Sequence, residues 1–233
     1  MRRMTEWLKD NPRARILELG SGESRLFLPL LEQYPHLSYV GIEPNHYQAA
    51  QAKMLLEPYP QALILEQLGY SGFENERRFD IVISLSVLEH VKDLQKFLVF
   101  SANCLKSGGR LVHLYDLGHA LHPFSLMEKF YVWFCQNNFF SRFIPETKYC
   151  GYVAEAGAVK ILNDNGVTIK TVTYHNNPQF VSFIKKLDNS PSARARLDQI
   201  IKFELEVSKL MRELPPALRE KLFPSVCLWG VKK

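Results

Sequence analysis

The residues with most chemistry in their spacing are Ile16-Leu17-Glu18-Leu19-Gly20-Ser21-Gly22-Glu23-Ser24 and, further along, Glu43. An apolar run ending in Gly-x-Gly and opening a helical stretch is a turn where backbone can approach a ligand closely. Glycine permits this because it lacks Cβ and tolerates positive φ. A carboxylate closing the next strand can accept from both hydroxyls of a ribose. Together they point to a bound nucleoside. Two nucleotide classes fit badly. The nicotinamide or flavin fingerprint needs a third glycine where this chain has Arg25. A phosphate-binding P-loop needs Gly-Lys-Ser/Thr after the turn, and none follows.

Such a turn works only if a sheet holds it. Five apolar runs in the first half read as strands: 15–19, 37–43, 62–66, 79–85 and 109–115. Helical stretches fit between them at 25–34, 46–56 and 94–105, with one short helix at 5–10 ahead of the first strand. Apolar strands alternating with helices predict a doubly wound α/β fold, a Rossmann-like sheet covered on both faces. The second half predicts helices over 125–137, 159–165, 179–187 and 191–214, and strands over 167–172 and 226–231. The expected organisation is one domain over 1–233. Residues 1–116 form its nucleoside-binding half, and 117–153 and 178–223 are helical insertions.

Composition removes several classes. With 233 residues and 46% apolar content, the chain needs neither metal nor disulfide to fold. Cys104, Cys135, Cys150 and Cys227 lie far apart with no Cys-x-x-Cys. This argues against a zinc ribbon or a disulfide scaffold and for reduced thiols, hence a cytoplasmic location. The first ten residues lack the apolar stretch of a secretory signal. Twenty-nine basic and 24 acidic residues give +5. They are scattered, so nucleic acid is not an expected partner. Nothing approaches a membrane span.

Four motifs, in order over residues 14–116, resemble the class I S-adenosylmethionine-dependent methyltransferases. Glu18-Leu19-Gly20-Ser21-Gly22 is similar to the family's first motif. Tyr39-Val40-Gly41-Ile42-Glu43-Pro44 resembles its second-strand motif with the ribose-binding acid. Phe79 to Val91, ending Leu88-Glu89-His90-Val91, resembles the fourth-strand motif. Leu105-Lys106-Ser107-Gly108-Gly109 resembles the opening of the fifth strand. The resemblance implies a seven-stranded sheet, mostly parallel with an antiparallel C-terminal strand, and S-adenosyl-L-methionine as cofactor. It implies cofactor binding by Glu18, Gly20, Ser21, Gly22, Glu43, Pro44, Gln67, Leu68 and Ser84. Gln67 is the expected adenine partner, because an amide both donates and accepts. The family's third glycine corresponds to Ser24 here.

The implied reaction is methyl transfer to a small-molecule acceptor, with a hydroxyl of a sugar or other biosynthetic intermediate as the leading expectation. A hydroxyl must lose its proton, so a base is needed. His90, His119 and Asp116 follow the fourth and fifth strands and are the candidates. His119 and His122 stand three apart without a third ligand, so no metal is expected. The alternatives are an N-methyltransferase, an enzyme acting on protein or RNA, and a non-catalytic S-adenosylmethionine-binding protein of the same fold. The aromatic stretch 124–143 reads as an acceptor wall or as packing against the sheet. With Lys129 and Arg142 as its basic residues, it is a weaker candidate for an interfacial helix.

Overall fold

A computed structural model describes residues 2–68, 70, 79–117, 126–137, 139–184, 186–187 and 190–233. Its strands are β1 (Arg15–Leu19), β2 (Ser38–Ile42), β3 (Ala62–Leu65), β4 (Phe79–Leu85), β5 (Leu105–Asp116), β6 (Val167–His175) and β7 (Ser225–Lys232). They form a seven-stranded sheet in the order β3-β2-β1-β4-β5-β7-β6. All pairings among β1 to β5 are parallel, and β7 runs antiparallel to both β5 and β6. Order reverses between β1 and β4, the switch point where open α/β sheets bind ligands.

The helices are α1 (Arg2–Asp10), α2 (Leu28–Gln33), α3 (His46–Leu56), α4 (Leu94–Cys104), α5 (Leu126–Gln136), α6 (Glu155–Asp164), α7 (Pro178–Ile184), α8 (Pro191–Met211) and α9 (Pro216–Leu222). Apolar side chains cover both faces. One core joins Leu17, Val40 and Val82 to Phe97, Leu98, Leu162 and Tyr174. The other joins Met4, Leu8, Ile16, Phe27, Leu31, Tyr39 and Ile81. The strands are therefore buried on both sides, which is why they read as continuous apolar runs.

Several boundaries differ from those read in the sequence. β5 begins at Leu105, ahead of the glycines, because the ladder absorbs a register shift between Phe79 and Ile81. α6 begins four residues earlier than its apolar periodicity, at Glu155; its N-cap Ala154 offers no side-chain cap to mark the start. The first helix runs from Arg2, and the stretch after the turn is a 3₁₀ segment (Arg25–Phe27) leading into α2.

One buried polar chain crosses the first core. Ser101 Oγ donates to Leu98 O (2.8 Å), so it accepts from His113 Nε2 at 3.1 Å. His113 Nδ1 is then the acceptor for the Ser84 hydroxyl at 2.7 Å. Ser84, Ser101 and His113 are fully buried. Burial pushes the imidazole down to about 3. The unfolded chain binds a proton near the ordinary histidine value, and the folded chain does not until about pH 3. Stability is therefore complete above about pH 6.5 and is lost as pH falls toward 3, by on the order of 3–4 kcal/mol. Urea titrations at pH 7 and pH 4 should show this drop, and His113→Gln should flatten it. An equally steep drop in the variant would remove His113 as its source.

Candidate active site

The cavity forms where β1, β2 and β4 end. After Leu19 the chain turns through Gly20 (φ +71°) and Gly22 (φ +54°). Gly20 N and Ser21 N both donate to Ile42 O, at 2.8 and 3.0 Å, pinning the turn to the end of β2. A Cβ on Gly20 would stand 2.5 Å from Val87 Cγ2, so the β4 end packs directly on glycine backbone. At Gly22 a Cβ would meet nothing nearer than Gln48 Oε1 at 4.0 Å. Its missing side chain leaves space in the cavity instead. Ser24 takes φ +59°, the left-handed conformation that glycine adopts most readily.

Beneath the turn lies a buried polar cluster. The Tyr39 hydroxyl is 2.5 Å from Glu18 Oε2 and 2.9 Å from Ser24 Oγ. The single phenolic proton goes to Glu18 Oε2, and Ser24 donates to the phenolic oxygen. This bond helps hold the unusual backbone of Ser24. Burial pushes the Glu18 carboxyl up to about 8, against the opposing bond from Tyr39. Folding thus favours the protonated form. Its contribution is complete below the unfolded value near 4.5 and is lost as pH rises through about 8. Glu18→Gln, which keeps the shape without the charge, should gain stability over the parent between pH 6 and 9. The gain is on the order of a few kcal/mol at the upper end. Parallel melting profiles across that range would refute the assignment.

Glu43 follows β2 and is 5% exposed. Its Oε2 accepts from Gly22 N and its Oε1 from Asn45 N, each at 2.8 Å. A carboxylate offers about four acceptor positions. Two are used by these amides, and two remain for a vicinal diol. Asn45 caps α3 by accepting from Gln48 N at 3.1 Å. Both residues reach the cavity, and their spacing is that of a capping box.

The cavity has a volume of about 360 Å³. Gly20, Gly22 and Glu43 lie at its turn side, and Pro44, Leu68, Val91 and Phe97 give it apolar walls. The end of β4 contributes Leu85, Ser86 and Val87. Glu146 and Thr147 enter from the insertion after β5. That insertion is tied down by four bonds. Glu146 Oε1 accepts from Lys92 N (3.0 Å) and from the Tyr70 hydroxyl (3.2 Å). Gly151 N donates to Glu89 O (2.7 Å). His90 Nδ1 lies 2.8 Å from Tyr149 O. Burial, then the Glu146 carboxylate, push the Tyr70 phenol up to about 12.

The His90 contact fixes its tautomer. A carbonyl oxygen only accepts, so Nδ1 carries the proton, and in the neutral ring the basic lone pair sits on Nε2. His90 is exposed and lines the cavity.

Of the residues singled out in the sequence, Gly20, Gly22, Glu43, Pro44, Leu68 and His90 come together around this cavity. Glu18 lies beneath the turn with Tyr39, and Ser21 packs behind it against Gly41. Ser84 points into the core toward His113. Gln67 follows β3, with its neighbour Leu68 on the cavity wall. Asp116 ends β5, where its amide donates to Glu89 Oε1 at 3.2 Å. His119 lies outside the described residues. Asn45, Gln48, Tyr70, Glu146 and Thr147 were not singled out. The Asn-x-x-Gln cap could have revealed the first two; no local motif marks the others.

Known proteins share this architecture. The chain is 32% identical over 98 residues to a ubiquinone biosynthesis O-methyltransferase of Bradyrhizobium sp., covering 42% of this chain and 38% of that protein. It is 26% identical over 107 residues to N-methyltransferase 4 of Papaver somniferum, covering 45% and 30%. The chain thus spans well under two thirds of the length of these curated relatives. Among solved structures, geranyl diphosphate C-methyltransferase from Streptomyces coelicolor superposes with a TM-score of 0.62 at 12% identity, over 100% of this chain and 80% of that one. At such identity the likeness speaks for the fold alone. A family described as "methyltransferase domain" matches residues 2–162. With its first motif turn, its switch-point cavity and more than half its length inside that match, the chain belongs to the methyltransferase-domain family.

Proposed function

We propose that this chain transfers a methyl group from S-adenosyl-L-methionine to a hydroxyl of a small-molecule acceptor, a sugar or another biosynthetic intermediate. The observation that carries this reading is the pairing, in one cavity, of the Glu43 carboxylate with a histidine whose Nδ1 proton is tied to Tyr149 O.

The residues present suit the cofactor. Glu43 keeps two acceptor positions for a ribose diol. Gly22 leaves the space a side chain would fill. Pro44, Leu68, Val91 and Phe97 offer apolar surface for a base. When bound, the sulfonium of S-adenosylmethionine makes its methyl carbon electrophilic. The chain's share is positioning and proton transfer. His90 Nε2 would accept the proton of the acceptor's hydroxyl, and Tyr149 O would steady the resulting imidazolium through Nδ1–H. In this reading the insertions over 117–153 and 178–223 form the acceptor side and limit water. Among the acceptor-side residues, Glu146 and Thr147 stand at the cavity.

The test is transfer of isotope-labelled methyl from S-adenosylmethionine to paired acceptors that differ only in hydroxyl or amine. Label in the hydroxyl member supports the reading. Label confined to the amine member overturns the acceptor class while leaving the cofactor assignment standing.

A further inference from the structure

The helix α5 is built inside out. Of its apolar side chains, Val132 and Cys135 are buried, whereas Leu126, Met127, Phe130, Tyr131 and Trp133 face outward. The segment's own core is small: Cys135, Ile144 and Cys150, with Phe134 and Tyr149 against it. Around it runs an unbroken array of rings. Phe130 meets Trp133 (5.7 Å between centroids), Trp133 meets Phe140 (5.9 Å), Phe140 meets Phe139 (5.3 Å) and Phe139 meets Phe143 (6.0 Å). Phe130, Trp133, Phe139 and Phe143 are 62%, 52%, 60% and 72% exposed. Each such ring carries a large apolar area. A contiguous array of this size on a protein surface marks an interaction site.

We propose that this aromatic surface, residues 126–143, rests on a lipid bilayer. Three observations select that occupant. Rings of Trp, Tyr and Phe are the side chains that settle at the headgroup level of a membrane. Lys129, Arg142 and Lys148, the basic residues of the segment 126–148, are exposed. The acid Glu146 is instead turned inward to Lys92 N and Tyr70. Among the described side chains of this segment, the exposed charges thus complement anionic headgroups. The array is also continuous with the cavity mouth. The Tyr131 hydroxyl donates to Lys148 O, and the preceding residues, Glu146 and Thr147, line the cavity. No described helix is long and apolar enough to cross a membrane, so the contact is one of resting on the surface. The proposal does not depend on which acceptor atom is methylated.

Flotation of the full chain with phosphatidylcholine vesicles, with and without phosphatidylglycerol, tests this. Binding should appear with both and rise with the anionic lipid. The double variant Phe130→Ser, Phe143→Ser should lose at least about tenfold in partitioning, with its melting temperature and S-adenosylmethionine affinity kept. As a check that needs no disruptive variant, lipids with brominated chains should quench the parent's tryptophan emission, and Trp133→Phe should remove that quenching while Trp7 and Trp229 still emit. Failure to float, floating unchanged in the double variant, or quenching that persists in Trp133→Phe would overturn the proposal. So would elution as a dimer that the same substitutions disperse, which would assign the array to a second copy of the chain. Methyl transfer is measured separately, so loss of vesicle binding and loss of activity remain distinct results.

Discussion

Glu43→Gln should weaken S-adenosylmethionine binding roughly ten- to a hundredfold. Hydrogen bonds to a charged acceptor contribute about 1.5–3 kcal/mol, and a vicinal diol loses part of two when the carboxylate becomes an amide. The amide retains one acceptor oxygen for Gly22 N or Asn45 N, so the turn keeps part of its support. Calorimetry should show the demethylated product, S-adenosylhomocysteine, losing affinity by the same factor, because the ribose is common to both ligands and the sulfonium lies elsewhere. Unequal losses would place Glu43 against the sulfur end. No loss would remove it from the site.

His90→Gln should slow turnover of a hydroxyl acceptor by about 10²–10⁴-fold, the usual contribution of a general base. Glutamine can still donate to Tyr149 O through its amide, as His90 Nδ1 does. It supplies no basic lone pair. The substitution therefore separates holding the insertion from accepting a proton. Cofactor affinity and melting temperature should stay at parent values while kcat falls. If kcat survives in His90→Gln but falls in His90→Ala, His90 positions the insertion and another group takes the proton.

The sequence revealed most where function is local. The turn through Gly20 and Gly22, the acid Glu43 and the histidine after β4 each sit within a few residues of a strand end, so a short pattern carries them. α3 shows the same legibility: Asn45 caps it, and its limits are those the apolar periodicity implies. Legibility fails where a contact joins distant segments. Glu146 reaches Lys92 and Tyr70 across 54 and 76 residues, and no local pattern announces that meeting. Ser84 shows the converse. In the motif it stands beside the cavity residue Leu85, but alternation along β4 turns its side chain into the core to bond His113. The sequence does not announce α9, because it is short and opens at Pro216, inside a Pro-Pro pair that reads as the end of a helix. The aromatics of 126–143 read equally well as packing in sequence. In the folded chain Phe130, Trp133, Phe139 and Phe143 are exposed, which their sequence pattern does not reveal.

The most direct test of the central claim is calorimetric titration of the intact chain with S-adenosylhomocysteine, the product form of the cofactor. The geometry of Glu43, Gly22 and the apolar walls predicts saturable binding at one site per chain, weakened at least tenfold in Glu43→Gln. Absence of binding to the folded parent chain, or binding that Glu43→Gln leaves unchanged, would contradict the assignment of this cavity to the cofactor.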